Sequence, residues 1–353
     1  MCVRGTGVAA LSVVLSLTAP FAAAQAFDPE ALRAFASLTA DQWNAVNRGE
    51  PQAKVLETRE KREVAVVGGA HLHATTDCFV AKFQDIENFK KNPAVLRIGK
   101  ITLPVDAQNL EGFQLEQRDL ADLRDCRVGH CSVKLSSEMI QRLHRDVAWS
   151  QPDYTMQAQS EVREDLLAYI ETYLREGNSA LIQYHDKSNP VRLAREFPAL
   201  LDAKPGLAEF VPEFRTYLAR YPASDLPGVS EFLYWSTESF GLKPVASITH
   251  VFVYGEPGKA AIASKQIYAS HYFDGSLGLT AALDDVEDPS HPGMYLVYLN
   301  RSRIDLLGGF FGGLRRAILR GRLRDGMRKN LIEVVRKLES SCANQADANA
   351  IAQ

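Results

Sequence analysis

Leu306-Leu307-Gly308-Gly309-Phe310-Phe311-Gly312-Gly313 opens the segment that decides the fold, and the segment runs on to Glu339 as a basic amphipathic helix. Leu319, Leu323, Met327, Leu331, Val334, Val335 and Leu338 recur at spacings of three and four, which places them on one stripe of that helix. A stripe this long needs a surface to cover. The chain just before it, from about Trp235 to Asp305, has strand character, so the pattern predicts a helix laid on a sheet. Arg316, Arg320 and Arg324 fall on or beside the stripe at its start. A cation there needs water, an acid or a ligand. Gly308 to Gly313, around Phe310 and Phe311, suits a lid, a membrane-touching tip or a close-packed turn. Gly321 and Gly326 each cost a helix about 1 kcal/mol relative to alanine, so a bend is expected there.

Working back from this helix, Met294 to Arg301 and Gly275 to Leu283 read as strands on either side of an acidic, proline-bearing loop. Val245 to Tyr254 and Ala261 to Phe273 read as a hairpin, and Val229 to Ser239 as a further strand. Ala246, Ile248, His250, Phe252 and Tyr254 share one face; Ile267, Ala269, His271 and Phe273 share another, as do Leu296, Tyr298 and Asn300. Apolar faces broken by single polar groups suit a cavity with a few orienting contacts, and suit an ordinary core equally.

Toward the N-terminus, Asp28 to Val46 is predicted as one short helix begun by Pro29. Lys54 to Ala74 is predicted as extended chain, one long bent strand in which Gly68-Gly69 permits a bulge or bend. Thr75 or Thr76 caps a helix from Asp77 to Lys91, and Val95 to Leu103 is a strand. Between residues 105 and 228 the character turns mostly helical. A short strand is expected at Ser132 to Leu135, and helices at Gln157 to Glu176, Val191 to Leu201 and Ala208 to Ala219.

Arg4, the apolar run Val8 to Phe21 and the small residues around Ala22 to Ala26 form a secretion signal, and no later run is long enough to cross a bilayer. The expected compartment is therefore periplasmic or secreted. Roughly 330 residues remain after cleavage, enough for one large domain or two small ones. Apolar residues make up 46% of the chain and its formal charge is −3, a near-balance that argues against nucleic acid as the general partner. Four cysteines follow the signal: Cys78, Cys126, Cys131 and Cys342. In an oxidising compartment an even count implies two disulfides, with three possible connectivities. A local Cys126–Cys131 bridge would leave Cys78 and Cys342 to pair.

Catalytic signatures are scarce. There is no Gly-x-Ser-x-Gly elbow, no phosphate-binding loop and no dinucleotide fingerprint. His71 and His73 share a strand face and could begin a zinc site with His250 or His271, but no motif-like spacing supports one, and neither metal nor cofactor is expected.

The order of strand, helix, strand, antiparallel strands and long C-terminal helix resembles the helix-grip (START-like, polyketide cyclase-like) superfamily. Lys54 to Leu103, with Thr75-Thr76-Asp77-Cys78-Phe79-Val80-Ala81-Lys82-Phe83-Gln84-Asp85 at its centre, and Ser230 to Glu339 carry the resemblance. It implies an α+β fold in which a curved antiparallel sheet grips the C-terminal helix around an apolar cavity. It also implies that Cys78 comes within reach of Cys342. The expected organisation is a signal peptide at 1–26, a helical extension at 27–53, a helix-grip-like domain at 54–104 and 229–342, a mostly helical insert at 105–228, and a disordered tail at 343–353. The expected function is that of an exported binder or carrier of a hydrophobic small molecule, of lipid or isoprenoid class. His250, Phe252, His271, Phe273, Tyr298, Arg320 and Arg324 are the candidate ligand-binding residues. The alternatives are a hydrolase or cyclase-like enzyme using the same pocket, and an envelope protein docking through its basic helix, with peripheral membrane contact.

Overall fold

The computed structural model describes residues 28–285, 293–307 and 312–351. The segment expected as a secretion signal, the segment 308–311 and most of the acidic loop (286–292) lie outside them. In chain order, α1 (Pro29–Ala36) and α2 (Ala40–Asn47) precede β1 (Gln52–Leu56) and β2 (Glu63–Leu72). Then come α3 (Thr76–Gln84), α4 (Ile86–Phe89) and β3 (Val95–Ile101). The insert supplies α5 (Gln117–Asp122), α6 (Ser137–Asp146), α7 (Tyr154–Glu176), β4 (Gln183–Tyr184), β5 (Val191–Arg192), α8 (Leu193–Leu201), α9 (Leu207–Phe210) and α10 (Pro212–Arg220). The chain closes with β6 (Val229–Glu238), β7 (Val245–Glu256), β8 (Lys259–Ala269), β9 (Phe273–Asp285), β10 (Gly293–Ile304) and α11 (Gly312–Ile351).

The fold is α+β, built on a curved eight-stranded antiparallel sheet in the order β1-β2-β10-β9-β8-β7-β6-β3. Register shifts at Val95/Arg97, Ile248/Thr249 and Arg303/Ile304 interrupt the ladders, and such irregularities bend and coil a sheet. Helices cover both faces. On one, α1, α2 and the insert pack against Ala65, Val67, Val297, Leu279, Ile248 and Leu233. On the other lie α3, α4 and α11. We call these the insert face and the helix face. The insert therefore sits behind the sheet, opposite the long C-terminal helix.

The stripe on α11 does what its spacing implies: Met327, Leu331, Leu338 and Cys342 are buried against the helix face. The Gly68-Gly69 pair does not form a bulge. Its pairing runs unbroken to β1 and β10. Gly68 lies where α11 crosses the sheet, and a Cβ there would meet Leu331 Cδ1 at 2.4 Å. A Cβ on Gly69 would meet Leu38 Cδ1 at 3.2 Å on the opposite face. Both glycines serve close approach, the second reading of glycine in a strand.

Other elements differ from expectation for local reasons. The first helix is two, because Ser37 takes φ 49° after α1 and Thr39 with Gln42 closes a capping box at the start of α2. The long bent strand is a hairpin, β1 and β2, whose turn is fixed by Thr58 donating to Glu63 O at 2.9 Å. Thr75 is the cap of α3. Ser132 to Leu135 is irregular chain, tied to its neighbours by Lys134 N–H to Ser270 O at 2.9 Å. α11 continues to Ile351 and so takes in most of the segment expected as a disordered tail. Two disulfides are present, Cys78–Cys342 and Cys126–Cys131. No described helix is long and apolar enough to cross a membrane.

Candidate functional site: a polar floor beside the C-terminal helix

The helix face changes chemistry at mid-strand. Toward Leu72, Phe232 and Leu296 it is apolar and sealed by α3, α4 and the end of α11. From Met327 to Cys342, then, α11 closes the hollow expected beneath it. Toward the opposite strand ends the same face carries Ser236, Ser247, Thr249, Ser276, Asn300 and Ser302. Strand alternation puts these hydroxyls and amides side by side because each occupies the same parity in its strand.

Tyr298 marks the boundary. Its ring lies across β9 at Gly278, where a Cβ would come within 2.9 Å of the phenolic oxygen. That oxygen accepts from Asn300 Nδ2 at 3.4 Å. Asn300 Nδ2 also donates to Ser276 Oγ at 3.4 Å, Ser276 and Ser302 hydroxyls lie 2.8 Å apart, and Ser302 donates to Asn300 Oδ1 at 2.9 Å. These three side chains close a ring in which each donor has an acceptor. The Tyr298 proton stands outside the ring and meets no acceptor among the described residues. Burial pushes its pKa up, with the nearby Lys90 charge opposing.

Lys90, at the end of α4, forms the second edge of the floor. Its Nζ donates to Glu238 Oε1 at 2.7 Å and to Tyr234 OH at 3.3 Å, and Ser236 donates to the same carboxylate oxygen at 2.7 Å. Burial works against the Lys90 charge, but Glu238 and Tyr234 outweigh it and hold its pKa well above the ordinary lysine value. Burial also works against the Glu238 carboxylate, and Lys90 outweighs it and keeps its pKa low. The pair retains 25% and 17% side-chain exposure, so both ions stay within reach of solvent. The arrangement offers donors and acceptors to a polar group at no net charge.

The seven candidate residues do not converge. Tyr298 is on the floor. Arg320 is on the same side, paired with Glu57 above the β1–β2 turn, over a small cavity of about 30 Å3 lined by Val55, Leu56 and Val64. Arg324 is exposed and bonded to Asp325 at 2.9 Å. His250 and Phe252 do adjoin each other, ring centroids 4.0 Å apart, but both are fully buried on the insert face. His271 bonds the buried Asp119 at 2.7 Å, and Lys243 takes the other oxygen of that carboxylate at 2.7 Å. Phe273 stacks edge-on against Phe240 at 5.8 Å. His71 bonds Asp285 at 3.0 Å, and among the described residues no three His, Cys, Asp or Glu side chains are placed to hold a metal.

Sequence reasoning missed Lys90, Glu238, Ser276 and Ser302. Ser276 and Ser302 left one signal, hydroxyls at same-facing positions of neighbouring strands, and Lys90 and Glu238 left none. A separate half-open cleft of about 320 Å3 lies on the insert, lined by Gln114, Gln117, Thr155, Gln159 and Arg163. Comparison with known proteins finds no family model that matches the chain and no curated protein that matches it.

Proposed function

We propose that the chain is an exported binding protein for an amphiphilic small molecule whose polar head rests on the Tyr298 floor. The carrying observation is a row of hydroxyl and amide groups on a sheet face, with the Tyr298 proton unclaimed among the described residues. Leu319 and Leu323, half-buried on the first part of α11, supply apolar surface for the rest of the ligand. Export is supported by the N-terminal signal pattern and two disulfides. In this reading α11 walls the ligand in from one side. The head group carries a hydrogen-bond acceptor, because the floor has a donor to give.

A fluorescence titration of the mature protein with dansyl-undecanoic acid tests the reading. Saturable one-to-one binding is expected, and Tyr298→Phe, which keeps the ring and removes the proton, is expected to weaken it about tenfold, the worth of one such hydrogen bond. No saturable uptake, or equal affinity in the variant, would refute the site. Salt-sensitive adhesion to anionic vesicles without stoichiometric uptake would instead favour docking through the exposed Arg322, Arg328 and Lys329 of α11.

A further inference from the structure

A second set of buried polar groups crosses the seam between the insert and the sheet, and the floor makes no use of it. Lys265 of β8 is 1% exposed. Its amine donates to Asn178 Oδ1 and lies 3.1 Å from Tyr173 OH, both groups of the insert. It also sits over the rings of Phe197 at 4.2 Å and Tyr173 at 4.8 Å. No carboxylate pairs with it among the described residues. Tyr173 OH is in turn 3.1 Å from His250 Nδ1 on β7. His250 Nε2 faces Glu231 Oε2 on β6 at 3.4 Å, a contact rather than a formed hydrogen bond.

The proton positions follow from the donor inventory. A neutral His250 that accepts at Nδ1 carries its proton at Nε2, toward Glu231. Tyr173 then donates to His250, and Lys265 donates to the Tyr173 oxygen. Every link points the same way, from the uncharged amine toward the carboxylate. Burial pushes Lys265 well below its ordinary pKa, and burial likewise lowers His250, with Glu231 opposing. Among the described residues the other titratable groups packed around the chain are phenols, Tyr169 from α7, Tyr217 from α10 and Tyr221 just after it, joining Tyr173 of the chain itself. Burial holds all four above their ordinary values, so they stay neutral near neutral pH.

We propose that this chain is a proton-operated latch that holds the insert on the sheet while Lys265 and His250 are uncharged and loosens it when one proton is taken up. A proton taken from solvent as the seam opens binds His250 at Nδ1, the ring nitrogen that carries none, while Glu231, whose side chain is 29% exposed, faces the already protonated Nε2 and stabilises the imidazolium. An imidazolium cannot accept from Tyr173, so the hydroxyl turns its proton to the Lys265 lone pair. Transfer along the chain leaves an ammonium on Lys265 and restores the first orientation. One proton has been bound and no other bond has changed. Either end state puts a cation at an aromatic seam, and among the described residues Glu231 at the far end is the only carboxylate in line with it.

The sign follows from linkage. For a base whose pKa is depressed in the docked state, the undocked state binds more protons, so docking weakens as pH falls. For Lys265 the weakening begins near the ordinary lysine pKa of about 10.4 and continues down to its depressed value; for His250 it begins near about 6.5. Hydrogen exchange of α7, the turn at residues 177–180 and α10, measured on the full mature chain from pH 9 to pH 6 and corrected for intrinsic rates, reads this directly. The opening constant of the wild type is expected to rise by up to about tenfold per pH unit, one proton's worth, relative to Lys265→Met. Glu231→Gln, which leaves the lysine in place, is expected to keep the slope. Amides of α3, on the other face, are expected to respond alike in all three proteins. Equal slopes in wild type and Lys265→Met, or a flat profile in both, would overturn the latch.

Discussion

Cutting the Cys78–Cys342 bridge with a Cys78→Ser/Cys342→Ser double replacement is expected to lower the unfolding free energy by about 5 kcal/mol. The figure comes from loop closure, since the bridge spans 264 positions and the chain-entropy cost it removes grows with the logarithm of that length. The location adds a local effect. Cys342 is 8% exposed and packs with Leu338 in the cluster that seals the upper helix face. Without the bridge, the end of α11 is held by that packing, by Lys337 donating to Phe89 O at 3.1 Å and by Glu339 accepting from His73 N–H at 3.0 Å. Guanidinium unfolding of oxidised wild type against the variant checks the magnitude, and exchange along α11 checks the place. A loss under 1 kcal/mol would mean that the loop is already constrained in the unfolded chain or that the helix end does not need tethering.

Lys134→Met is expected to cost about 3–5 kcal/mol at neutral pH, the usual result of removing one member of a buried ionic cluster. Lys134 is 2% exposed and lies 2.9 Å from Asp274, 3.4 Å from Asp305 and 3.6 Å from Asp186. Burial works against its charge, but these three carboxylates, Asp274 foremost, raise its pKa. Methionine preserves the volume and leaves the acids facing one another, with Arg62 on Asp274 at 2.6 Å as partial relief. The pH dependence is a second check. A lysine with a raised folded pKa contributes fully below its unfolded value and loses the contribution only as pH rises through the folded one. Wild-type stability should therefore fall at strongly alkaline pH. The variant should recover part of its loss in acid, where Asp186, already pushed up by burial, takes a proton. Adding Asp274→Asn should restore part of the loss at neutral pH. Additive losses in the double variant would show that the groups are not coupled.

The sequence announced the sheet-and-helix architecture through two periods, alternation over Val245 to Arg301 and the three-four spacing over Leu319 to Leu338. It could not say which face of the sheet meets the helix. β7 is buried along nearly its whole length on both sides, so Ala246 to Tyr254 and Ser247 to Val253 are equally enclosed, and alternation distinguishes two faces without labelling them. That is why His250 and Phe252, assigned to the sheet–helix space, lie against the insert. The insert itself was legible as helical, but its docking depends on contacts such as Tyr169 OH to Ile267 O at 2.8 Å, separated by 98 positions and invisible to any local pattern. Glycine was misread for a similar reason: Gly68 looks the same in sequence whether it makes a bulge or admits Leu331. Tyr298 could be placed on a face with Leu296 and Asn300 from strand alternation alone, and the structure keeps those three on one face. Lys90 and Glu238 were not found, because a charge at a helix end and one at a strand end look like surface.

Native mass spectrometry of the mature protein exported by its own host, released gently and never exposed to detergent, tests the binding proposal most directly. The account predicts a stoichiometric non-peptide mass of amphiphilic character, lost or strongly depleted in Tyr298→Phe prepared the same way. A bare polypeptide mass in both proteins, with Tyr298 and Asn300 equally accessible to covalent footprinting before and after exposure to envelope lipid extract, would contradict it.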